Sequence, residues 1–225
     1  KEVSQWVEKV FKKKKINVLT GTLADNIDDE KVLISVGVEG NSTGMGLKGL
    51  GLEFSDNNHI AVNEYGKTNI DNIYAVGDVI GAPWLAHVSA AEGLYVAEHL
   101  CGLNPKQIDY NSIPACTYSK PEVASIGDTE ETLVDNNIEF KVAKSFFIAN
   151  GKAVAVGSTD GFIKILVGTK GNILGAHIVG SNATEMISEL SIIKTNNLTI
   201  ENIFNSVHPH PTFSEAIFET LLQLK

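Results

Sequence analysis

Two apolar runs joined by a short polar turn constrain the fold of this chain most strongly. Residues 162–167 and 173–179 are β-type runs, and the turn Thr169-Lys170-Gly171-Asn172 between them predicts a β-hairpin. Four more β-type runs precede the hairpin and three helices follow it. The expected strands are 115–119, 123–126, 140–148 and 153–156, and the expected helices are 183–194, 199–205 and a last one ending at Leu224. Strands gathered together and followed by helices predict an α+β domain, an antiparallel sheet with flanking helices.

The first half of the sequence has a different pattern, in which short apolar runs alternate with helices and polar loops. Helices are expected at residues 1–15 and 87–100, and short strands at 16–19, 32–36, 60–62 and 73–78. The run at 32–36 is almost continuously apolar, which is typical of a strand buried on both faces. This half is therefore predicted to be α/β, with a domain boundary near residue 112 between it and the α+β domain.

Composition and charge exclude several classes of protein. The 225 residues are 43% hydrophobic and 20% charged, as in ordinary globular domains. The net charge of −9 argues against a nucleic-acid partner, which needs a basic surface. No apolar stretch approaches the ~20 residues of a membrane helix, so no membrane span is expected. The first residues lack an apolar signal core and there are two cysteines, so we expect a protein that is not secreted, in the bacterial cytoplasm or an organelle matrix.

A glycine-rich segment, residues 44–49, matches the pattern G-x-G-x-x-G to the letter. A dinucleotide-binding turn needs a strand directly before it and a helix opening on it. The nearest apolar run ends at Val36, and residues 50–58 have no helical pattern. The segment is therefore not expected to bind a dinucleotide.

Asp78 follows the apolar run at 73–76 and precedes a predicted helix. A carboxylate at the end of a strand lies where open α/β sheets bind ligands, and it can accept two hydroxyl hydrogen bonds from a sugar or ribityl chain. Gly77 allows a ligand to approach the backbone. An ordinary turn or cap residue is the alternative interpretation of Asp78.

The segment His208-Pro209-His210-Pro211-Thr212-Phe213-Ser214-Glu215 has three interpretations. Its histidine spacing matches no standard zinc site, which disfavours a metal centre. Thr212 and Glu215 have the spacing of a helix capping box. Alternatively, the turn presents the imidazole of His210, and the carboxylate of Glu215 orients it and raises its basicity. The residue pattern alone favours capping.

Five segments resemble, in the same order, the motifs of one family, the pyridine-nucleotide disulfide oxidoreductases. They are 68–79 (TNIDNIYAVGDV), 82–87 with 92–93 (APWLAH and EG), 121–130 (PEVASIGDTE), 178–185 (IVGSNATE) and 208–215 (HPHPTFSE). Within this family the pattern is closer to the dihydrolipoamide dehydrogenases than to the glutathione or mercuric reductases.

The resemblance implies a role for each matched site residue. Asp78 would bind the ribityl and diphosphate part of FAD. The main chain of Leu85, Ala86 and His87 would meet the pyrimidine end of the isoalloxazine. His210 would be the acid/base that takes a thiol proton from dihydrolipoamide, and Glu215 would hold it. No residue is implied as a metal ligand.

The resemblance also implies how the parts of the protein work together. Residues 1–36 would be a remnant of the NAD-binding domain, 37–112 the central domain that contacts FAD, and 113–225 the interface domain of a homodimer. The dyad would act on the flavin and disulfide of the other subunit. The substrate would be dihydrolipoamide on the lipoyl domain of the acyltransferase of a 2-oxoacid dehydrogenase complex, with NAD⁺ as the final acceptor.

Three motifs of the family are missing from the sequence: the N-terminal flavin G-x-G-x-x-G, the redox C-x4-C and the NAD-binding G-x-G-x-x-G. The chain is therefore expected to be a C-terminal portion and to be inactive alone. The alternatives are another disulfide reductase of the family and a non-catalytic dimerisation module.

Overall fold

The computed structural model describes residues 1–23 and 30–225. The chain forms two compact units. Lys1–Thr22 and Asp109–Lys225 form the first, here called the sheet unit, and Leu23–Ile108 form the second, the turn-rich unit. The strands are β1 Ala115–Thr117, β2 Val123–Gly127, β3 Phe140–Phe146, β4 Phe162–Gly168 and β5 Ile173–Val179. The helices are α1 Glu2–Lys13, α2 Ala86–Leu100, α3 Glu130–Asp135, α4 Gly151–Ala155, α5 Ala183–Thr195, α6 Ile200–Phe204 and α7 Glu215–Leu221.

The five strands form one antiparallel sheet in the order β1-β2-β5-β4-β3. The predicted hairpin is confirmed, because β4 pairs with β5 across the turn, from Phe162 opposite Val179 to Val167 opposite Ile173. Every residue of β4 is buried. The α+β architecture predicted for this half of the chain is therefore present.

The two faces of β4 have different coverings. Ile163, Ile165 and Val167 belong to the main apolar core, together with residues of α5 and α7 such as Leu190 and Ile217. Side chains alternate between the faces of a strand, so Phe162 and Lys164 point the other way. Helices therefore cover one face of the sheet with the apolar contacts that stabilise the domain.

Helix α1 covers the opposite face. Its Trp6 ring packs against Phe162 and Phe146, with centroid distances of 5.5 and 5.9 Å. The carboxylate of Glu2 lies 2.7 Å from the ammonium of Lys164. This end of α1 is thus held on the β-sheet by both ring packing and an ion pair.

One predicted strand of the second half is wrong. Residues 153–156 do not form a strand; helix α4, Gly151–Ala155, occupies this segment. Asn150 precedes the helix, and its side-chain oxygen accepts a hydrogen bond from the Ala153 amide, which stabilises a helix start. A four-residue apolar run cannot distinguish the two structures by periodicity.

The strands predicted in the first half are also wrong. Among the described residues no strand precedes Ala115; Ile60 and Tyr74 form only isolated bridges, with Phe54 and Lys67. The apolar run 32–36 is extended into solvent, with Leu33 93% exposed. A strand needs a neighbour for its backbone hydrogen bonds, and the described residues offer this run none.

Helix α2 is the main regular element of the turn-rich unit, and it starts one residue before the predicted helix. The predicted domain limits stay predictions, and residues 24–29 of the predicted 1–36 remnant lie outside the described residues. No helix in the described part of the chain is long and apolar enough to cross a membrane.

Candidate active site

The His-Pro loop, residues 206–214, connects α6 to α7 in the sheet unit. It contains both histidines of the motif, and α7 begins directly after it at Glu215. Ser214 precedes the helix without a side-chain capping bond, so the predicted Thr212 cap is wrong in its first half. The Thr212 hydroxyl instead donates to the Pro209 carbonyl oxygen, at 2.7 Å.

His210 and Glu215 form a hydrogen-bonded pair. Nδ1 of His210 lies 2.9 Å from Oε1 of Glu215. The imidazole is 76% exposed, whereas the carboxylate side chain is 18% exposed. A carboxylate accepts only, so the neutral imidazole carries its proton on Nδ1 and its lone pair on Nε2. The pair therefore presents an oriented base to solvent.

The other oxygen of Glu215 is held by the backbone. Its Oε2 accepts a hydrogen bond from the Thr212 amide at 2.7 Å. This bond, and secondly the bond to His210, hold the pKa of Glu215 below its ordinary value. Glu215 is therefore ionised at neutral pH and can accept the hydrogen bond from Nδ1–H of His210.

His208 lies at the other end of the loop in a different environment. Its Nε2 is 2.8 Å from Oε1 of Glu189 on α5, and its side chain is 10% exposed. The ring also packs against Phe218 at 5.8 Å. A buried, paired imidazole of this kind fixes the loop to two helices, and it is not presented to solvent as His210 is.

The candidate flavin residues lie in the turn-rich unit. Asp78 is exposed on a short 3-10 turn, Gly77–Ile80. The amide of Gly77 donates to Oε2 of the buried Glu92 on α2, at 2.7 Å. Glu92 therefore supports the Gly77–Ile80 turn. The sequence motif includes Glu92, but the sequence alone did not indicate this role.

Leu85, Ala86 and His87 lie at the start of α2, as predicted. Leu85 immediately precedes the helix, and its carbonyl oxygen accepts hydrogen bonds from the Val88 and Ser89 amides. The first amides of a helix carry partial positive charge. The structure thus brings these residues and the Gly77–Ile80 turn, which packs on α2, into one unit, whereas the His210–Glu215 pair lies in the other.

The glycine-rich segment and the possible metal ligands do not have the geometry of a binding site in the described residues. The G-x-G-x-x-G segment 44–49 runs into a four-residue 3-10 turn, Leu47–Leu50, without a preceding strand. Over residues 1–23 and 30–225, no group of three or more His, Cys, Asp or Glu side chains has the arrangement of a metal site.

Comparison with family models identifies the class of protein. Residues 113–221 match the model for "Pyridine nucleotide-disulphide oxidoreductase, dimerisation domain". Residues 1–93 match the model for "Pyridine nucleotide-disulphide oxidoreductase". The chain belongs to the pyridine nucleotide-disulphide oxidoreductase family.

Among the curated proteins, its relatives carry a more specific name. The dihydrolipoyl dehydrogenase of Zymomonas mobilis is 39% identical over 98% of this chain and 52% of its own length. That of Bacillus subtilis is 39% identical over 98% of this chain and 51% of its own length. The chain spans about half the length of the curated relatives that it matches.

Solved structures agree on the fold. LpdA from Mycobacterium tuberculosis superposes with a TM-score of 0.78 at 24% identity, over 83% of this chain and 41% of its own. The flavoprotein disulfide reductase RclA from Escherichia coli gives a TM-score of 0.80 at 22% identity, over 85% of this chain and 44% of its own.

Proposed function

We propose that this chain is the C-terminal part of an enzyme that oxidises dihydrolipoamide, passing two electrons through a protein disulfide and FAD to NAD⁺. The observation that carries the proposal is the His210–Glu215 pair, an exposed imidazole oriented by an ionised carboxylate. The names of the relatives support dihydrolipoamide as the substrate.

His210 is the proposed acid/base. A thiol with a pKa of about 8.5 is a poor nucleophile at neutral pH until a base removes its proton. Because Nδ1 of His210 is bonded to Glu215, the lone pair of Nε2 is the one that would accept the thiol proton. Glu215 then stabilises the imidazolium that forms, by its charge and by the same hydrogen bond.

The proposed flavin residues lie in the turn-rich unit. Gly77 is buried with φ +78°, and a Cβ there would lie 2.8 Å from Ser89 Oγ, so the backbone of this turn packs closely on α2 and leaves Asp78, the next residue, exposed. Asp78 and the main chain of Leu85, Ala86 and His87 are proposed to hold FAD, with hydroxyl groups donating to the exposed carboxylate. When bound, FAD would supply the two-electron acceptor for the thiolate and disulfide chemistry. We assign no residue of this chain to NAD⁺.

The proposal includes an assembly. The match to a dimerisation domain supports a homodimer, in which His210 of one subunit would serve the flavin and disulfide of the other. The lipoyl domain of an acyltransferase would deliver the substrate in the bacterial cytoplasm or an organelle matrix. Cys101 and Cys116 are free thiols, which is compatible with such a reducing compartment.

The test uses the complete polypeptide that carries these residues, purified with its flavin. NADH formation is measured with dihydrolipoamide and, separately, with reduced glutathione. We expect turnover with dihydrolipoamide, and His210→Gln should lower it by about 10²–10⁴-fold while flavin content and dimer are retained. Glu215→Gln should lose less, about 10- to 100-fold, because it disturbs orientation and leaves the base in place.

The matched control is Glu219→Gln, which removes the same charge one helical turn further along α7. Its turnover should equal that of the wild type. Turnover with glutathione alone would replace the proposal with the related reductase. Near wild-type turnover of His210→Gln would overturn the acid/base role, and a complete polypeptide without flavin would favour the non-catalytic module.

A further inference from the structure

Asn150 is buried behind the His-Pro loop and uses both ends of its amide. It is 2% exposed. Its Oδ1 accepts a hydrogen bond from the Ala153 amide at 3.0 Å, which caps α4, and its Nδ2 donates to the Thr212 carbonyl oxygen at 3.1 Å. Asn150 thus joins α4 to a residue that is 62 positions away in the sequence.

Capping alone does not explain an amide at this position. A helix N-cap needs only an acceptor oxygen, which serine, threonine and aspartate supply about as well as asparagine. Asparagine differs in having a donor of the right length as well, and here that donor is bonded to the loop. The loop contact, and not the helix cap, therefore explains why an asparagine suits this position.

The residue that Asn150 contacts is also bonded to the catalytic pair. Thr212, whose carbonyl oxygen is bonded to Asn150, donates its own amide to Oε2 of Glu215. Oε1 of the same carboxylate accepts from Nδ1 of His210. A hydrogen-bonded chain therefore runs from the buried amide through Thr212 and Glu215 to the exposed imidazole.

Packing at the same place supports this chain. The ring of Phe147 meets that of Phe213 edge to face at a centroid distance of 5.8 Å, and both are buried. The backbone N–H of Asn150 donates to the Phe147 carbonyl oxygen. A Cβ at Gly151 would come within 4.0 Å of Cε1 of His210, so the start of α4 lies directly against the imidazole.

We propose that Asn150 is a positioning residue for the His210–Glu215 pair, acting through its hydrogen bond to the Thr212 carbonyl oxygen. The inference rests on the proposed function and adds a residue to it. Without this bond the Thr212 carbonyl group is no longer held. The backbone of Thr212 can then shift, and with it the N–H that holds the Glu215 carboxylate against the imidazole. A displacement of about 1 Å at a catalytic group can cost about 100-fold in rate.

The experiment separates the loop contact from the helix cap. In the complete flavoprotein, Asn150→Ser and Asn150→Asp retain an acceptor for the Ala153 amide but remove the donor to Thr212. We expect both variants to lose about 10- to 100-fold in kcat for dihydrolipoamide. Flavin content should be unchanged, and KM should change less than kcat.

Two further measurements report on positioning directly. Hydrogen exchange of a peptide that covers residues 208–215 should be faster in both Asn150 variants, because the Thr212 amide is less well held. The carboxylate of Glu215 stabilises the imidazolium of His210, so a poorly aligned carboxylate stabilises it less, and the acid limb of the pH–rate profile should move to lower pH. A residue with only a structural role would leave this limb in place.

Thr129→Ala is the control for a general loss of stability. Thr129 caps α3 by accepting from the Thr132 amide, as Asn150 caps α4, but it has no contact with the His-Pro loop in the hydrogen bonds described. Wild-type turnover and exchange in Asn150→Ser would overturn the inference, as would an equal loss of turnover in Thr129→Ala. His210→Gln separates the two proposals. If its turnover is lost while Asn150→Ser stays active, only the positioning role fails; if it stays active, the acid/base role fails.

Discussion

Replacing Gly77 by alanine tests how closely the proposed flavin turn packs on α2. At φ +78° an L-residue costs about 1–2 kcal/mol. The new Cβ would lie 2.8 Å from Ser89 Oγ and 3.0 Å from Ser89 Cβ, and such overpacking costs about 1–3 kcal/mol. The lower freedom of the unfolded alanine chain returns about 0.4–1 kcal/mol. The free energy of unfolding should therefore fall by about 1–5 kcal/mol.

Two companion variants divide this loss into its causes. Ser89→Gly removes the side chain that the new Cβ would meet, and alone it should cost about 0.5–1 kcal/mol. Combined with Gly77→Ala it should remove the overpacking and leave the backbone cost, which gives a coupling of about 1–3 kcal/mol. Gly93→Ala, on the same helix with nothing within 4 Å of its Cβ, should instead stabilise by up to about 1 kcal/mol.

The assay is urea unfolding of the complete protein, followed by tryptophan fluorescence. The chain has two tryptophans, Trp6 in the sheet unit and Trp84 in the turn-rich unit. In a Trp6→Phe background, this chain's signal comes from the unit that contains Gly77. Additivity of the two substitutions within about 0.5 kcal/mol, or wild-type stability of Gly77→Ala, would refute the close packing.

Two further predictions concern the sheet unit. Hydrogen bonds from two lysines, the stronger from Lys164, lower the pKa of Glu2 from 4.5 to about 2, so its contribution to stability is complete above pH 4.5 and lost as the pH falls through 2. Glu2→Gln should therefore lose less unfolding temperature than the wild type between pH 5 and pH 2, measured by differential scanning fluorimetry; equal losses would contradict the shift. His208→Ala should lower the free energy of unfolding by about 1–3 kcal/mol, because Glu189 loses its buried partner, and turnover per bound flavin should fall far less than in His210→Gln. A loss of turnover as large as that of His210→Gln would show that His208 takes part in the chemistry.

The sequence predicted the second half of the chain well because its signals are local. Apolar runs with a four-residue turn between them are enough to indicate the β4–β5 hairpin, and the structure has it with the expected partners. The run at 153–156 failed because a short apolar segment fits a helix as well as a strand, and the Asn150 cap decided in favour of the helix. The runs of the first half failed for a different reason, since a strand depends on neighbours that its own sequence does not contain.

The candidate site was predictable to the extent that it is contained in one short segment. His210 and Glu215 are five residues apart, and the family resemblance identified them as a pair; the hydrogen bond between them is present. The predicted capping box gave only the bond from the Thr212 amide to the carboxylate. Asn150 and Glu189 carry no local signal, because their contacts with the loop exist only once distant elements have packed together.

These distant contacts explain how an exposed loop can hold a catalytic group in place. Three elements meet the His-Pro loop: α4 through Asn150, α5 through Glu189, and α7 through Glu215. All three belong to the sheet unit, whose core is complete without the turn-rich unit. The orientation of His210 is therefore built independently of the proposed flavin residues. Variants at the loop contacts should then change turnover without releasing flavin, whereas variants at the Gly77 turn should change flavin retention without altering the His210–Glu215 bond.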